Sequence, residues 1–314
     1  MIRVHVVDGE KSREGGVALA EQPGPRWVDV QGRSDEDVAW LGEKFGFHPL
    51  ALEDCLHVDQ RPKLEDYPTE LFVVIHSFTS AAGVADVKLH ELHAFLRKDL
   101  LVTVHDDPIP AVEAVRLRLA RDGQLLGRGP DQLLHAIADG VIDGHLPLVD
   151  AVREELEELE AAVFASPNAE LLERIFELKR ALLTLRRTVA PSREVFSTLA
   201  RGDDPRVTKR GALYFRDVWD HVQRTTDAID AAREMLGDVL NAYHSELASR
   251  TNEVMKRLTL FSALLLPLTF ITGFFGMNFT GIHYDDPKIL VGAMVAMVAI
   301  PLSTVLAFRF LRWL

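Results

Sequence analysis

The stretch Phe275-Gly276-Met277-Asn278-Phe279 closes one apolar run and stands shortly ahead of a second, and its reading decides the fold. The first run, 258–275, has 18 residues and the second, 289–308, has 20, with no charged side chain in either. About 20 apolar residues span a hydrocarbon core of roughly 30 Å, so both runs predict membrane helices. The glycine and the carboxamide between them then lie at a membrane surface.

Flanking charge sets the expected orientation. Lys256 and Arg257 precede the first run, Arg309 and Arg312 follow the second, and the 13-residue connection 276–288 holds Lys288 beside Asp285 and Asp286. The positive-inside rule predicts a multi-pass protein of the plasma (inner) membrane with both termini cytoplasmic and the connection outside. The first residues carry no apolar core of a cleavable signal. One cysteine, Cys55, fits a reducing compartment and excludes an intrachain disulfide.

The formal charge is −12, yet residues 256–314 carry five basic and two acidic side chains, so the first 255 residues hold −15. That balance argues against nucleic acid as a partner. No Gly-x-x-x-x-Gly-Lys-Ser/Thr loop is present, so no nucleotide is expected. No nucleophile, base and orienting group fall in a recognisable motif, which argues against an enzyme. No organic cofactor is expected either.

Before the membrane runs the pattern is mixed. Trp27-Val28-Asp29-Val30, Leu71-Phe72-Val73-Val74-Ile75 and Leu100-Leu101-Val102-Thr103-Val104 read as strands. Ser34-Asp35-Glu36-Asp37 ahead of Val38, Leu41 and Phe45 reads as a capped helix. Helices near 110–120 and 130–142 complete an α/β domain over 1–144. Residues 145–257 read as a helical stalk, with Pro191 a kink or break and Asp203-Asp204-Pro205 a turn. From Gly211 to Phe275 only Pro267 interrupts a helical pattern, so one helix of about 100 Å is expected at 1.5 Å per residue. The expected divisions are therefore 1–144, 145–257, the spans 258–275 and 289–308 with the loop 276–288 between them, and a tail 309–314.

Asn252, Met255, Thr259, Ser262, Leu266, Thr269 and Gly273 follow one another in alternating steps of three and four. That period of 3.5 keeps one stripe toward the axis of a bundle of identical helices. Two readings of the hydroxyls stay open: they line a watery path, or they bond back to their own helix carbonyls. In the second run Gly292, Ala296 and Ala299 are expected to share a face for close helix packing, and Pro301 to kink the helix.

These residues are similar to the CorA family of magnesium transport proteins, whose signature is Gly-Met-Asn just after the first of two terminal membrane helices. Further resemblance lies in Asn252-Glu253-Val254-Met255-Lys256, Pro267-Leu268-Thr269-Phe270-Ile271, Tyr214-Phe215-Arg216-Asp217-Val218 and Gln60-Arg61-Pro62-Lys63. The resemblance implies a funnel-shaped homopentamer in the lipid bilayer: a cytoplasmic α/β domain, long stalk helices, a pore helix and an outer ring of second spans. It implies Gly276, Met277 and Asn278 as selectivity filter, and Asn252, Met255, Leu258 and Thr269 as pore and gate, beside Thr259, Ser262, Leu266 and Gly273 of the seam. The loop Thr280 to Asp286 and the tail Arg309 to Leu314 depart from the family's usual Met-Pro-Glu-Leu segment and lysine-rich end.

Mg²⁺ sheds water reluctantly. A ring of neutral Asn278 carboxamides suits it, accepting hydrogen bonds from first-shell water without stripping the ion. Asp285 and Asp286 are candidates for drawing cations to the outer mouth. The resemblance makes Mg²⁺ both cargo and cytoplasmic regulator, with Co²⁺ and Ni²⁺ as further ions, and points to Asp217 as a regulatory ligand. The family's usual acidic partner falls near Ser80 or Ala81, where this chain has no acid, and nearby Asp86 is the substitute. Asp217 paired with Arg216 or Arg224 is the local alternative. His90 and His93, three apart in a strand, point to opposite faces and make poor joint ligands. A Zn²⁺ transporter of the same architecture and a membrane-anchored sensor without conduction are the competing functions.

Overall fold

The structure is a computed structural model describing residues 1–8, 11–57, 59–80, 87–122, 124–277 and 286–310. It opens with the hairpin β1 (Ile2–Asp8) and β2 (Lys11–Gly15), followed by β3 (Arg26–Gln31), α1 (Asp35–Phe45) and α2 (Pro49–Leu56). Four strands come next: β4 (Lys63–Asp66), β5 (Leu71–Ser80), β6 (Val87–Leu96) and β7 (Leu100–His105). Helices α3 (Pro110–Arg121), α4 (Gln124–Gly127), α5 (Pro130–Asp143), α6 (Leu146–Ala165) and α7 (Ala169–Arg201) lead to α8 (Lys209–Gly276) and α9 (Pro287–Phe310).

The strands form one mixed sheet in the order β2-β1-β3-β7-β6-β5-β4. Among the described residues only the β3–β7 pair is parallel. Strands β5 and β7 sit inside the sheet and are buried along most or all of their length, as their unbroken apolar runs require. One face is closed by Val38, Leu41, Ala51 and Cys55 of α1 and α2 over Phe72, Val74, Phe95 and Val102; α5 lies against β5, β6 and β7. The thiol of Cys55 is fully buried, and burial pushes its pKa up.

Local chemistry sets the helix ends. Ser34 Oγ accepts from the Asp37 N–H at 3.1 Å to start α1, and Gly46 at φ 63° ends it. Pro191 does not break α7, which runs unbroken for 33 residues. The buried stripe Leu185, Val189, Ser192, Val195 and Leu199 passes through it on both sides, so packing holds the turn although Pro191 offers no N–H. Asp204 Oδ1 accepts from the Arg206 N–H at 2.8 Å in the turn before α8. Thr208 caps α8: its Oγ1 accepts from the Gly211 N–H at 2.9 Å and donates to Asp131 Oδ2 of α5 at 2.6 Å. A Cβ at Gly211 would lie 2.2 Å from that carboxylate oxygen, so the approach needs glycine.

The chain divides into two compact units, Met1–Leu240 and Asn241–Leu314. α8 is a single 68-residue helix that passes through Pro267. In the second unit the described residues are the end of α8 and α9, both long and apolar enough to cross a membrane, and their most apolar windows have no buried residue.

Candidate pore and metal centre

On α8 the residues 260, 263, 264, 267, 268, 271 and 275 are half-buried and form one stripe. The seam predicted from the 3.5 period lies elsewhere on the helix. Asn252, Met255, Leu258, Thr259, Ser262, Leu266, Thr269 and Gly273 are all exposed, Leu266 at 69% and Met255 at 55%. Leu258, Ser262, Leu266 and Thr269 line one shallow open groove with Phe261 and Leu265. Thr259 Oγ1 donates to the Met255 carbonyl at 2.8 Å and Thr269 Oγ1 to the Leu265 carbonyl at 2.9 Å. The two hydroxyls thus bond back to their own helix. That leaves oxygen lone pairs on an open face that can accept from water.

On α9 the half-buried residues are Ile289, Ala293, Ala296, Met297, Ile300, Pro301, Thr304 and Phe308. Of the three small residues expected to share a packing face, Ala296 is half-buried, while Gly292 and Ala299 are exposed in the single chain. Gly292 has open space where a Cβ would stand. α9 also continues through Pro301 to Phe310.

α8 ends at Gly276, and the Met277 N–H donates to the Phe274 carbonyl at 3.3 Å. Asn278 and Asp285 lie outside the described residues. Asp286 caps α9, its Oδ1 accepting from the Lys288 N–H at 2.9 Å, so this acid has a local structural task beside any pull on cations.

The first unit brings acids and histidines together on α5 and α8. Asp139 and Asp143 lie one turn apart on α5, as do Asp217 and His221 on α8, and each pair shares a helix face. His221 Nδ1 lies 2.8 Å from Asp143 Oδ1 and 3.9 Å from Asp139 Oδ1, while its Nε2 lies 3.9 Å from Asp217 Oδ1. One ligand atom each from Asp139, Asp143 and His221 falls within 4.8 Å of the others. Asp139 Oδ1 is buried and accepts no hydrogen bond among the described residues. Burial raises the Asp139 pKa, and the charges of Asp143 and Asp217 add to it. A cation would supply what that oxygen lacks. Two carboxylates and an imidazole admit Mg²⁺ through oxygen and water and suit Co²⁺ or Ni²⁺ through nitrogen.

Asp217 itself is 66% exposed. Among the described residues it pairs with neither Arg216 nor Arg224, so the local alternative is replaced by the His221 contact. Asp86 lies outside the described residues. His90 and His93 stand apart as expected: His90 bonds Thr79 Oγ1 at 2.7 Å, while His93 lies 3.3 Å from Glu91.

The fold and these sites define a membrane protein with a globular α/β unit, a helix running from that unit into the first span, and a second span after it. The family described as CorA-like Mg²⁺ transporter protein matches residues 23–312. The cobalt/magnesium transport protein CorA of Thermotoga maritima is 33% identical over 297 residues, covering 92% of this chain and 84% of that protein. Its counterpart in Methanocaldococcus jannaschii is 25% identical over 291 residues, covering 92% and 91%. The solved structure of the M. jannaschii magnesium transporter superposes with a TM-score of 0.86, covering 98% of this chain and 97% of that one at 23% identity. The chain belongs to the CorA-like Mg²⁺ transporter family.

Proposed function

We propose that this chain assembles as a homopentamer in the plasma (inner) membrane, both termini cytoplasmic, and admits Mg²⁺ down its electrochemical gradient, with Co²⁺ as a second cargo. The observation that carries the reading is the exposed seam from Asn252 to Gly273 on a helix that crosses the membrane. Hydroxyls and a glycine facing lipid in a lone chain face a shared aqueous axis once copies gather. The relatives named above are cobalt and magnesium transport proteins, which supports the choice of ion.

In this reading 1–144 and 145–257 are cytoplasmic, 258–275 lines the pore, 276–288 is external, 289–308 forms the outer ring and 309–314 is a cytoplasmic tail. Gly276, Met277 and Asn278 form the filter; Leu258, with Asn252 and Met255, narrows the inner mouth. An inside-negative potential supplies about 2.3 kcal/mol per charge per 100 mV, and twice that for a divalent ion, so influx needs no nucleotide. Cytoplasmic Mg²⁺ closes the pore by binding at Asp217, Asp139, Asp143 and His221. An ion held better by the closed arrangement than by the open one shifts the population toward closure.

The test is Mg²⁺ uptake by the purified protein in vesicles. Asn278→Ala is expected to lose selective flux, and wild-type flux is expected to fall as internal Mg²⁺ rises. Uptake indifferent to Mg²⁺ but driven by a proton gradient would reject the choice of ion. Flux untouched by Asn278→Ala would reject the filter.

A further inference from the structure

A cleft of about 640 Å³ opens in the unit Met1–Leu240, within the size range of sites for small organic ligands. One wall is residues 59–62 with His76 of β5 and Leu89 of β6; the other is α7 between Thr184 and Pro191. Its charge runs against the rest of the chain. Arg61, Arg186 and Arg187 line it against the single carboxylate of Asp59, in a protein whose net charge is −12.

Two of these guanidinium groups are uncommitted. Arg186 Nε is held by Asp230 at 2.7 Å, whereas Arg61 and Arg187 pair with no carboxylate among the described residues. His76 lies in the cleft wall at 4% exposure, its ring nitrogens closed off from solvent and beside the Gln60 backbone. Glu91 Oε1 lies 4.0 Å from its Nε2. Burial holds the His76 pKa down to about 4, so near neutral pH the ring adds no charge to that of the arginines. Asp59, at φ 70°, is also the single non-glycine residue with positive φ among the described residues; such backbone collects at ligand sites.

Guanidinium forks recognise a tetrahedral oxyanion better than a cation or an apolar ligand. We propose that this cleft binds a small organic phosphate, with Arg61 and Arg187 supplying the charge and the charge-assisted hydrogen bonds. The carbon part of the ligand lies along Pro62, Leu89 and Pro191. The site is separate from the acid and histidine cluster and does not depend on the transport reading.

The experiment is calorimetric titration of the full-length protein in detergent with inorganic phosphate, ribose 5-phosphate and succinate. Both phosphates are expected to bind saturably at one site per chain, the sugar phosphate more tightly, and succinate more weakly than either. Arg61→Gln and Arg187→Gln are each expected to weaken binding about tenfold or more, the loss of one charge-assisted contact. Arg186→Gln should change it little, and unchanged melting of these surface variants checks that they fold. Absence of saturable phosphate binding, wild-type affinity in Arg61→Gln and Arg187→Gln, or succinate binding as tight as phosphate would overturn the proposal.

Discussion

In the unit Met1–Leu240 the large apolar side chains Trp27, Phe72, Phe95, Phe196 and Phe215 are hidden, and acids such as Asp217 stand open. In Asn241–Leu314 the order is reversed: Leu266, Phe270, Met294 and Val298 are exposed, and no acid lies between residues 258 and 275. The first unit is arranged for water, where apolar burial drives folding. The second is arranged for hydrocarbon, where backbone groups are satisfied inside the helix and side chains need no core of their own. Charged groups of the first unit meet across helices, as His221 meets Asp143, whereas Thr259 and Thr269 of the second bond within one helix, as Thr225 and Thr226 also do in the first.

Substitutions at matched residues break or sharpen this contrast. The largest effect is expected from Phe95→Ala, which empties a site between Phe47 and Phe72 and costs about 3–5 kcal/mol. Phe270→Ala on the open face of α8 should cost far less, and denaturant midpoints of the two purified variants provide the check. Equal losses would mean that the second unit carries a core of the same kind.

Next comes Val298→Asp, at 69% exposure on α9, against Leu117→Asp, at 58% exposure on α3. An acid at the centre of a span costs about 2.5–3.5 kcal/mol of insertion, whereas the α3 change should be nearly neutral. The fraction recovered in membranes measures both, and a tolerated Val298→Asp would remove that part of α9 from the bilayer.

The third effect is set by pH. The Asp139 pKa is higher in the fold than in the unfolded chain, so the folded state holds its proton more tightly. Without a metal, stability therefore falls as pH rises from the ordinary carboxylate range through the raised value. A bound cation displaces that proton, so stabilisation by Mg²⁺ or Co²⁺ should grow with pH across the same window and level off above it. At an ion concentration near 100 times Kd the gain is about 2.7 kcal/mol. Asp139→Asn should flatten the slope and lose most of the gain, as read by melting with and without the ion.

Much of this was legible in the chain. The unbroken apolar runs gave the inner strands β5 and β7, Ser34 with its following acids marked the start of α1, and the absence of proline from Gly211 to Leu266 announced α8. The edge strand β2 was not legible, because Lys-Ser-Arg-Glu-Gly has no apolar alternation and pairs with β1 through its backbone. The acid and histidine cluster was half legible. Asp217 came from a matched segment, but Asp139, Asp143 and His221 were missed. Their spacings of four mark a face on α5 and a face on α8, yet only tertiary packing decides that those faces meet. Likewise the period on α9 put Gly292, Ala296 and Ala299 on one face, but could not say that Ala296 would be shielded in the single chain while Gly292 would not.

Cys55 has a practical consequence. Its sulfur is sealed beneath α2 and its proton is held tightly, so toward a water-soluble maleimide the folded protein behaves as one without a thiol. A cysteine introduced anywhere on α8 or α9 would report alone, with no background to subtract and no native residue to sacrifice. The chain is thus already suited to mapping, position by position, which side of each span meets solvent.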